Sequence, residues 1–216
     1  NNEKELYSQL EQIAKEFPLV DTFTQELIPS DLEVKTISFT AFCVDGVIKS
    51  YWMGMKLREH PYKFGTATFA KSVHFDECYK LSIPLLNKLN YSGVCEIEYL
   101  YDYRDSKFKL IEINPRTWLW VGLAKACGIN YAKMIYDYLN NNNTYYPTDY
   151  TKDIFWINSI SDFAMSMSSL LIGRINLKSY ITSFFQGQTV DALYSRNDPK
   201  PFFAYILNLT SFLRNR

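Results

Sequence analysis

Glycine is scarce in this chain, and its scarcity excludes two common nucleotide-binding designs. There are 8 glycines in 216 residues. None of them fits G-x-G-x-x-G or G-x-x-x-x-G-K-[ST], so a Rossmann fingerprint and a Walker A loop are both absent. Excess charge of either sign is also missing. The 23 Lys and Arg residues balance 23 Asp and Glu, which argues against a nucleic-acid or anionic-membrane protein. The four cysteines, Cys43, Cys78, Cys95 and Cys127, form no C-x-x-C and have no histidine at ligand spacing, so a structural zinc site is not expected. Each sits among apolar neighbours and reads as a small buried hydrophobe in a reducing compartment. The longest apolar-leaning stretch, Phe163 to Ile172, is broken by Ser166, Ser168 and Ser169 and is too short to span a bilayer. No signal peptide is evident, and the expected location is cytoplasmic. The first residue is Asn1 rather than Met, as expected for a piece of a longer protein.

Aromatic residues, by contrast, are abundant. With 17 Tyr and 15 Phe against 21% charged residues, the chain should fold around an aromatic core. Leu6, Leu10, Ile13 and Phe17 share one helical face, and Pro18 closes that helix. Glu33 to Val44 and Val47 to Met53 are β-branched and aromatic runs separated by Asp45-Gly46, a strong hairpin signal. Lys56 to Thr68 is polar and reads as a loop. Asp76 to about Leu89 reads as a helix carrying Pro84. Val94 to Tyr101 and Phe108 to Asn114 read as strands. Thr117 to Leu139 is helical, broken at Gly128, with Asn130 capping the second half. A four-Asn run at 140–143 opens a Tyr/Pro/Thr-rich surface connector, and Ser161 to Ile172, Leu177 to Phe185 and Pro201 to Leu213 read as helices. The expected class is α+β, an antiparallel sheet flanked by helices with a helical C-terminal appendage. The expected division falls between residues 1–145 and 146–216.

The chemically informative segments are Cys95-Glu96-Ile97-Glu98-Tyr99 and Leu110-Ile111-Glu112-Ile113-Asn114-Pro115-Arg116. Alternation along a strand puts Glu112, Asn114 and Arg116 on one face, and Glu96 and Glu98 on one face of the preceding strand. A hairpin centred on Asp105 pairs residues whose numbers sum to 210, which sets Glu98 opposite Glu112 and Glu96 opposite Asn114. Like charges directly across a ladder are destabilising. Such a pair either raises a carboxylate pKa or supplies ligands to a cation. Two carboxylates and an amide oxygen suit Mg²⁺, which keeps waters and phosphate oxygens as its other ligands. Arg116 would then face a phosphate or a developing anion. The same pattern also fits a solvated hairpin face with Glu–Arg pairs, and a bulge would shift the register by one.

Ile111-Glu112-Ile113-Asn114-Pro115-Arg116, preceded by Glu98, resembles the metal-binding end of the ATP-grasp superfamily. Thr24-Gln25-Glu26-Leu27-Ile28-Pro29 is similar to the hinge strand that holds adenine there. Met55-Lys56-Leu57-Arg58-Glu59-His60-Pro61 with Phe64-Gly65-Thr66 resembles a substrate- and phosphate-facing segment of carboxylate–amine ligases, and Asp198-Pro199-Lys200-Pro201 resembles tails of D-aspartate-ligase-like members. The resemblance implies Glu98, Glu112 and Asn114 as ligands of Mg²⁺ (or Mn²⁺), and Arg116, Lys56 and Arg58 against phosphate or the carboxylate substrate. It further implies Gln25, Glu26 and Ile28 at adenine, and Asp31 or Glu33 at the ribose. The cofactors implied are ATP and Mg²⁺, and the partners are small carboxylate and amine substrates and the N-terminal ATP-grasp domains of the same protein. No nucleic acid or membrane partner is implied, and a homodimer is compatible with the resemblance. His60 and His74 carry no catalytic expectation, and Trp118 and Trp120 read as packing residues.

The implied activity is ATP- and Mg²⁺-dependent ligation of a carboxylate to an amine through an acyl phosphate, with this chain as the C-terminal part of the enzyme. A glycosidase using Glu98 and Glu112 is a rival that leaves Asn114-Pro115-Arg116 without a role. A non-catalytic binding or interaction module is the other alternative, and it predicts a large exposed apolar patch.

Overall fold

Asp45 and Gly46 both take left-handed backbone angles, φ 49° and 74°, and this twist joins adjacent antiparallel strands in a tight hairpin. A computed structural model describes residues 3–18, 24–29, 36–61, 65–173 and 175–214. The hairpin strands are β1 (Ile37–Val44) and β2 (Val47–His60), following a first helix α1 (Glu3–Ile13). Then come β3 (Thr66–Ser72), α2 (Asp76–Lys88), β4 (Gly93–Asp102), β5 (Lys107–Asn114), α3 (Val121–Ala126) and α4 (Tyr131–Leu139). The remaining elements are β6 (Phe155–Ile157), α5 (Ser159–Leu171), α6 (Leu177–Ser183), β7 (Thr189–Asp191) and α7 (Lys200–Arg214). One seven-stranded sheet runs in the order β5-β4-β1-β2-β3-β6-β7. Every pairing is antiparallel except β6 with β7.

β1 is central and buried over almost its whole length, so both faces of the sheet are covered. On one face α2 packs through Tyr79 against Phe39 and Tyr51, and Ser82 Oγ hydrogen-bonds the Tyr99 hydroxyl at 2.8 Å. Pro84 sits inside α2 without ending it. On the other face Tyr131 of α4 hydrogen-bonds Thr40, and Trp52, Trp118 and Trp120 form a cluster with ring centroids 5.4–6.5 Å apart. Asn130 caps α4 by accepting from the Lys133 amide. All four cysteines are free and buried.

Three segments differ from the sequence expectation. The polar stretch from Lys56 is strand, not loop: β2 continues to His60 and β3 begins at Thr66. Register shifts between Lys56 and Arg58 and between Arg58 and Glu59 accompany the pairing, while Lys56 and Arg58 reach internal partners rather than solvent. β6 and β7, three residues each, are too short to show a period. Within the connector, Tyr146 stacks on Phe42 and Tyr150 is buried, although Tyr145 is exposed. Among the described residues no helix is long and apolar enough to cross a membrane.

Gly54 lies under the tryptophan cluster. A methyl group there would overlap the buried rings of both Trp52 and Trp120. Gly54→Ala should therefore destabilise the protein by about 2 kcal/mol, as overpacking does, read as a lowered urea midpoint with an unchanged slope. An unchanged midpoint would show that the rings yield freely.

Candidate metal and phosphate site

β4 and β5 pair Glu96 with Asn114, Ile97 with Ile113 and Glu98 with Glu112. The expected sum of 210 therefore holds at the carboxylates, for a reason not visible in the sequence. Nearer the turn the pairs run Tyr99–Leu110, Leu100–Lys109 and Asp102–Lys107, one unit lower, and the ladder shifts between Glu98 and Tyr99. A four-residue turn plus one extra residue on β5, Ile111, restores the register. The same row continues across the sheet, because Ser38 pairs with both Glu98 and Gly54.

This face lines a cleft of about 550 Å³. Glu98, Glu112, Asn114, Arg116 and Lys56 line it, as do Gln25, Glu26 and Ile28. The Lys56 ammonium lies 2.8 Å from one Glu98 carboxylate oxygen and 3.0 Å from the other, and donates to the Gly65 carbonyl at 3.3 Å. Asn114 Nδ2 donates to Glu112 at 2.7 Å and to Glu96 at 3.3 Å, while its Oδ1 accepts from Arg116 at 3.2 Å. Arg116 also donates to the Thr117 carbonyl.

Glu96, opposite Asn114 on the ladder and without an expected role, also lines the cleft. It is 3% exposed, and its Oε1 is buried without a hydrogen-bond partner. Burial first, and then the neighbouring Glu98 charge, push its carboxyl up to about 7. Ser38 Oγ, close by, draws it the other way without reaching hydrogen-bonding geometry. Trp118 and Trp120 belong to the core and to the cleft wall at once.

Glu26 is tied to Arg104 at 2.8 Å, and Arg104 forks onto Asp102 at 2.7–3.2 Å. That fork holds the Asp102 carboxyl down at about 2. Segment 24–29 is thereby fastened to the β4–β5 turn. Arg58 is not brought to the cleft. Its guanidinium donates twice to fully buried Asp162 at 2.8 Å and once to Ser183 at 2.9 Å, and it lies over the rings of Phe69 and Tyr180. The irregular register beyond Lys56 breaks the simple alternation that would have aligned the two cations. Asp31 and Glu33 lie outside the described residues, as does Phe64.

Among the described residues, no three acidic, histidine or cysteine side chains converge as a metal cage. The donor set is instead two opposed carboxylates and an amide, beside an orphaned oxygen of Glu96. Such a set fits Mg²⁺, whose remaining ligands are waters and substrate oxygens.

Residues 65–135 match the family described as carbamoyl-phosphate synthase L chain, ATP binding domain. The fold is similar to the biotin carboxylase domain of Hydrogenobacter thermophilus 2-oxoglutarate carboxylase, solved with MgADP, ADP and bicarbonate. That likeness has a TM-score of 0.52 and 14% identity over 72% of this chain and 36% of that one. A bicarbonate-bound biotin carboxylase domain of a thermophilic 2-oxoglutarate carboxylase gives a TM-score of 0.51 and 15% identity over 72% of this chain and 37% of that one. This chain thus spans little more than a third of the length of either. No curated protein sequence matches it. The matched segment is less than half of this chain and carries β3 to β5, elements around the cleft.

The raised Glu96 pKa sets a sign for stability. Its folded value, about 7, lies above the 4.5 of an unperturbed Glu, so between those values the folded state binds the extra proton. Stability is then fully present below about pH 4.5 and falls as pH rises towards 7, by about 3 kcal/mol. Urea unfolding from pH 4.5 to 7.5 should show this decline in wild type and its loss in Glu96→Gln; equal slopes in the two proteins would refute it.

Proposed function

We propose that this chain supplies the metal- and phosphate-facing part of an ATP- and Mg²⁺-dependent ligase that joins a carboxylate to an amine through an acyl phosphate. The observation that carries this reading is the direct opposition of Glu98 and Glu112 in the wall of the cleft, with Asn114 and Arg116 alongside. Mg²⁺ bound there would neutralise charge on a transferring phosphoryl group. Glu98, Glu112 and Asn114 would hold it. Arg116, exposed at the cleft, would hold the acyl phosphate and the oxyanion formed as the amine attacks. Lys56 would meet phosphate. Gln25, Glu26 and Ile28 would receive adenine mainly through backbone groups, with Asp31 or Glu33 at the ribose. A small amino acid such as D-aspartate is the carboxylate suggested by resemblance. Residues 1–145 would form the ATP-grasp portion and 146–216 an appendage, working with further ATP-grasp domains in the cytoplasm, as a monomer or a homodimer.

One observation favours the alternative of a non-catalytic interaction module. Leu171, Phe185 and Leu207 in the C-terminal segment are each more than 80% exposed, and apolar side chains of this kind mark a contact surface where they join in one patch.

Calorimetric titration of MgADP separates the two readings. Wild type should bind, even at millimolar affinity, and more tightly with Mg²⁺ than without it, whereas the folded double variant Glu98→Gln/Glu112→Gln should gain nothing from Mg²⁺. An equal gain from Mg²⁺ in both proteins, or a gain in neither, would overturn the metal–nucleotide reading and favour the module.

A further inference from the structure

Lys56 stands apart from the other charged groups of the cleft. Its ammonium touches both oxygens of Glu98, one of the two opposed carboxylates, and it is mostly buried there. The same ammonium reaches the Gly65 carbonyl at the end of the β2–β3 connection, where Pro61, Gly65 and Thr66 border the cleft. Glu96, Glu98 and Glu112 put three carboxylates on one face of the β4–β5 ladder. Among the described residues Lys56 is the cation in contact with Glu98, and Arg116 approaches through Asn114 rather than through a carboxylate.

We propose that Lys56 is an exchangeable counter-ion: it occupies Glu98 until a divalent cation arrives, and then turns to the phosphate that accompanies the cation. The proposal rests on the metal-site reading above and adds a sequence of contacts to it. Its physical basis is competition for one carboxylate. An ammonium and a divalent cation cannot both sit within 3 Å of the same two oxygens without strong repulsion, so binding of either weakens the other. A nucleotide phosphate restores a partner to the displaced ammonium, and lysine suits the exchange because it is a compact point charge on a flexible stem. Release also frees the Gly65 carbonyl. The metal and the nucleotide should therefore bind with positive coupling that runs through Lys56.

Two arms test the exchange on the chain itself, with no need for turnover. The first is Mn²⁺ binding, followed by electron paramagnetic resonance, to wild type and Lys56→Met, with folding checked by circular dichroism. Without nucleotide, Lys56→Met should bind Mn²⁺ about threefold to tenfold more tightly than wild type, the range expected for loss of one partly buried ion-pair competitor. With ADP present, the enhancement of Mn²⁺ binding seen in wild type should shrink in the variant. The second arm needs no Lys56 variant and so survives its misfolding: Glu98→Gln should bind metal-free ADP more tightly than wild type, because Lys56 is released. If wild type binds Mn²⁺ while Lys56→Met binds it no more tightly and Glu98→Gln gains nothing for ADP, the exchange is overturned and the metal site stands. If Mn²⁺ binds neither protein, the metal site and the exchange fall together.

Discussion

Glu98 and Glu112 face each other across β4 and β5, next to a third carboxylate at Glu96, and the local structure is arranged to tolerate that repulsion. Opposed like charges weaken a ladder, and this ladder lies at the sheet's edge, where β5 has one neighbour. Three compensations surround it. Lys56 neutralises Glu98 from the β2 side, Asn114 donates to both Glu112 and Glu96, and Arg116 fixes the Asn114 amide from its oxygen end. Burial of Glu96 adds a fourth, since a carboxyl whose pKa is raised to about 7 carries less than a full negative charge near neutral pH. A hairpin selected for stability alone would need none of these devices, which is what the proposed cation site would explain.

The rest of the sheet supplies the rigidity this arrangement requires. The wall behind the carboxylates is the stack of Trp52, Trp118 and Trp120, closed from above by Tyr131 and made possible by the missing side chain at Gly54. Tight aromatic packing leaves few alternative rotamers, and a row of charges with fixed spacing needs such a floor. At the other end of the sheet the chain's own C-terminal segment continues the ladder through β6 and β7. The two edges thus differ in character: β5 presents polar chemistry to a cleft, and the far edge extends the fold.

Where the sequence was legible, the signal was local and periodic. Asp45-Gly46 identified its hairpin, Asn130 identified its cap, and alternation on β4 and β5 set Glu98 against Glu112. That last pairing depended on two irregularities that offset each other, an even turn and an extra residue at Ile111, and neither has a sequence signature. The polar stretch beginning at Lys56 was illegible for a related reason. Its polarity suggested solvent, but Lys56 is buried and Arg58 half-buried against partners 42 and 104 residues away, which no local pattern encodes. Glu96 was visible as a residue and as a partner of Asn114, but its orphaned oxygen is a property of the packed structure. β6 and β7 were too short to carry a period.

Lys56 and Arg58, two residues apart on one strand, show how side-chain type divides fixed from exchangeable charge. Arg58 makes three hydrogen bonds, two of them parallel to a fully buried carboxylate, and aromatic rings flank its guanidinium. Breaking such a pair strands a buried charge, a cost of about 3–5 kcal/mol, so Arg58 acts as a permanent fastening between β2 and the helices α5 and α6. Lys56 has one carboxylate and one weak carbonyl contact in a wall open to a cleft. Its bonds lack the planar fork that makes arginine hard to displace, and its partner is the group a divalent cation would seek first. The irregular register between them sends the rigid cation towards the core and leaves the labile one at the site. The bulged course of β2 is what lets one strand carry both.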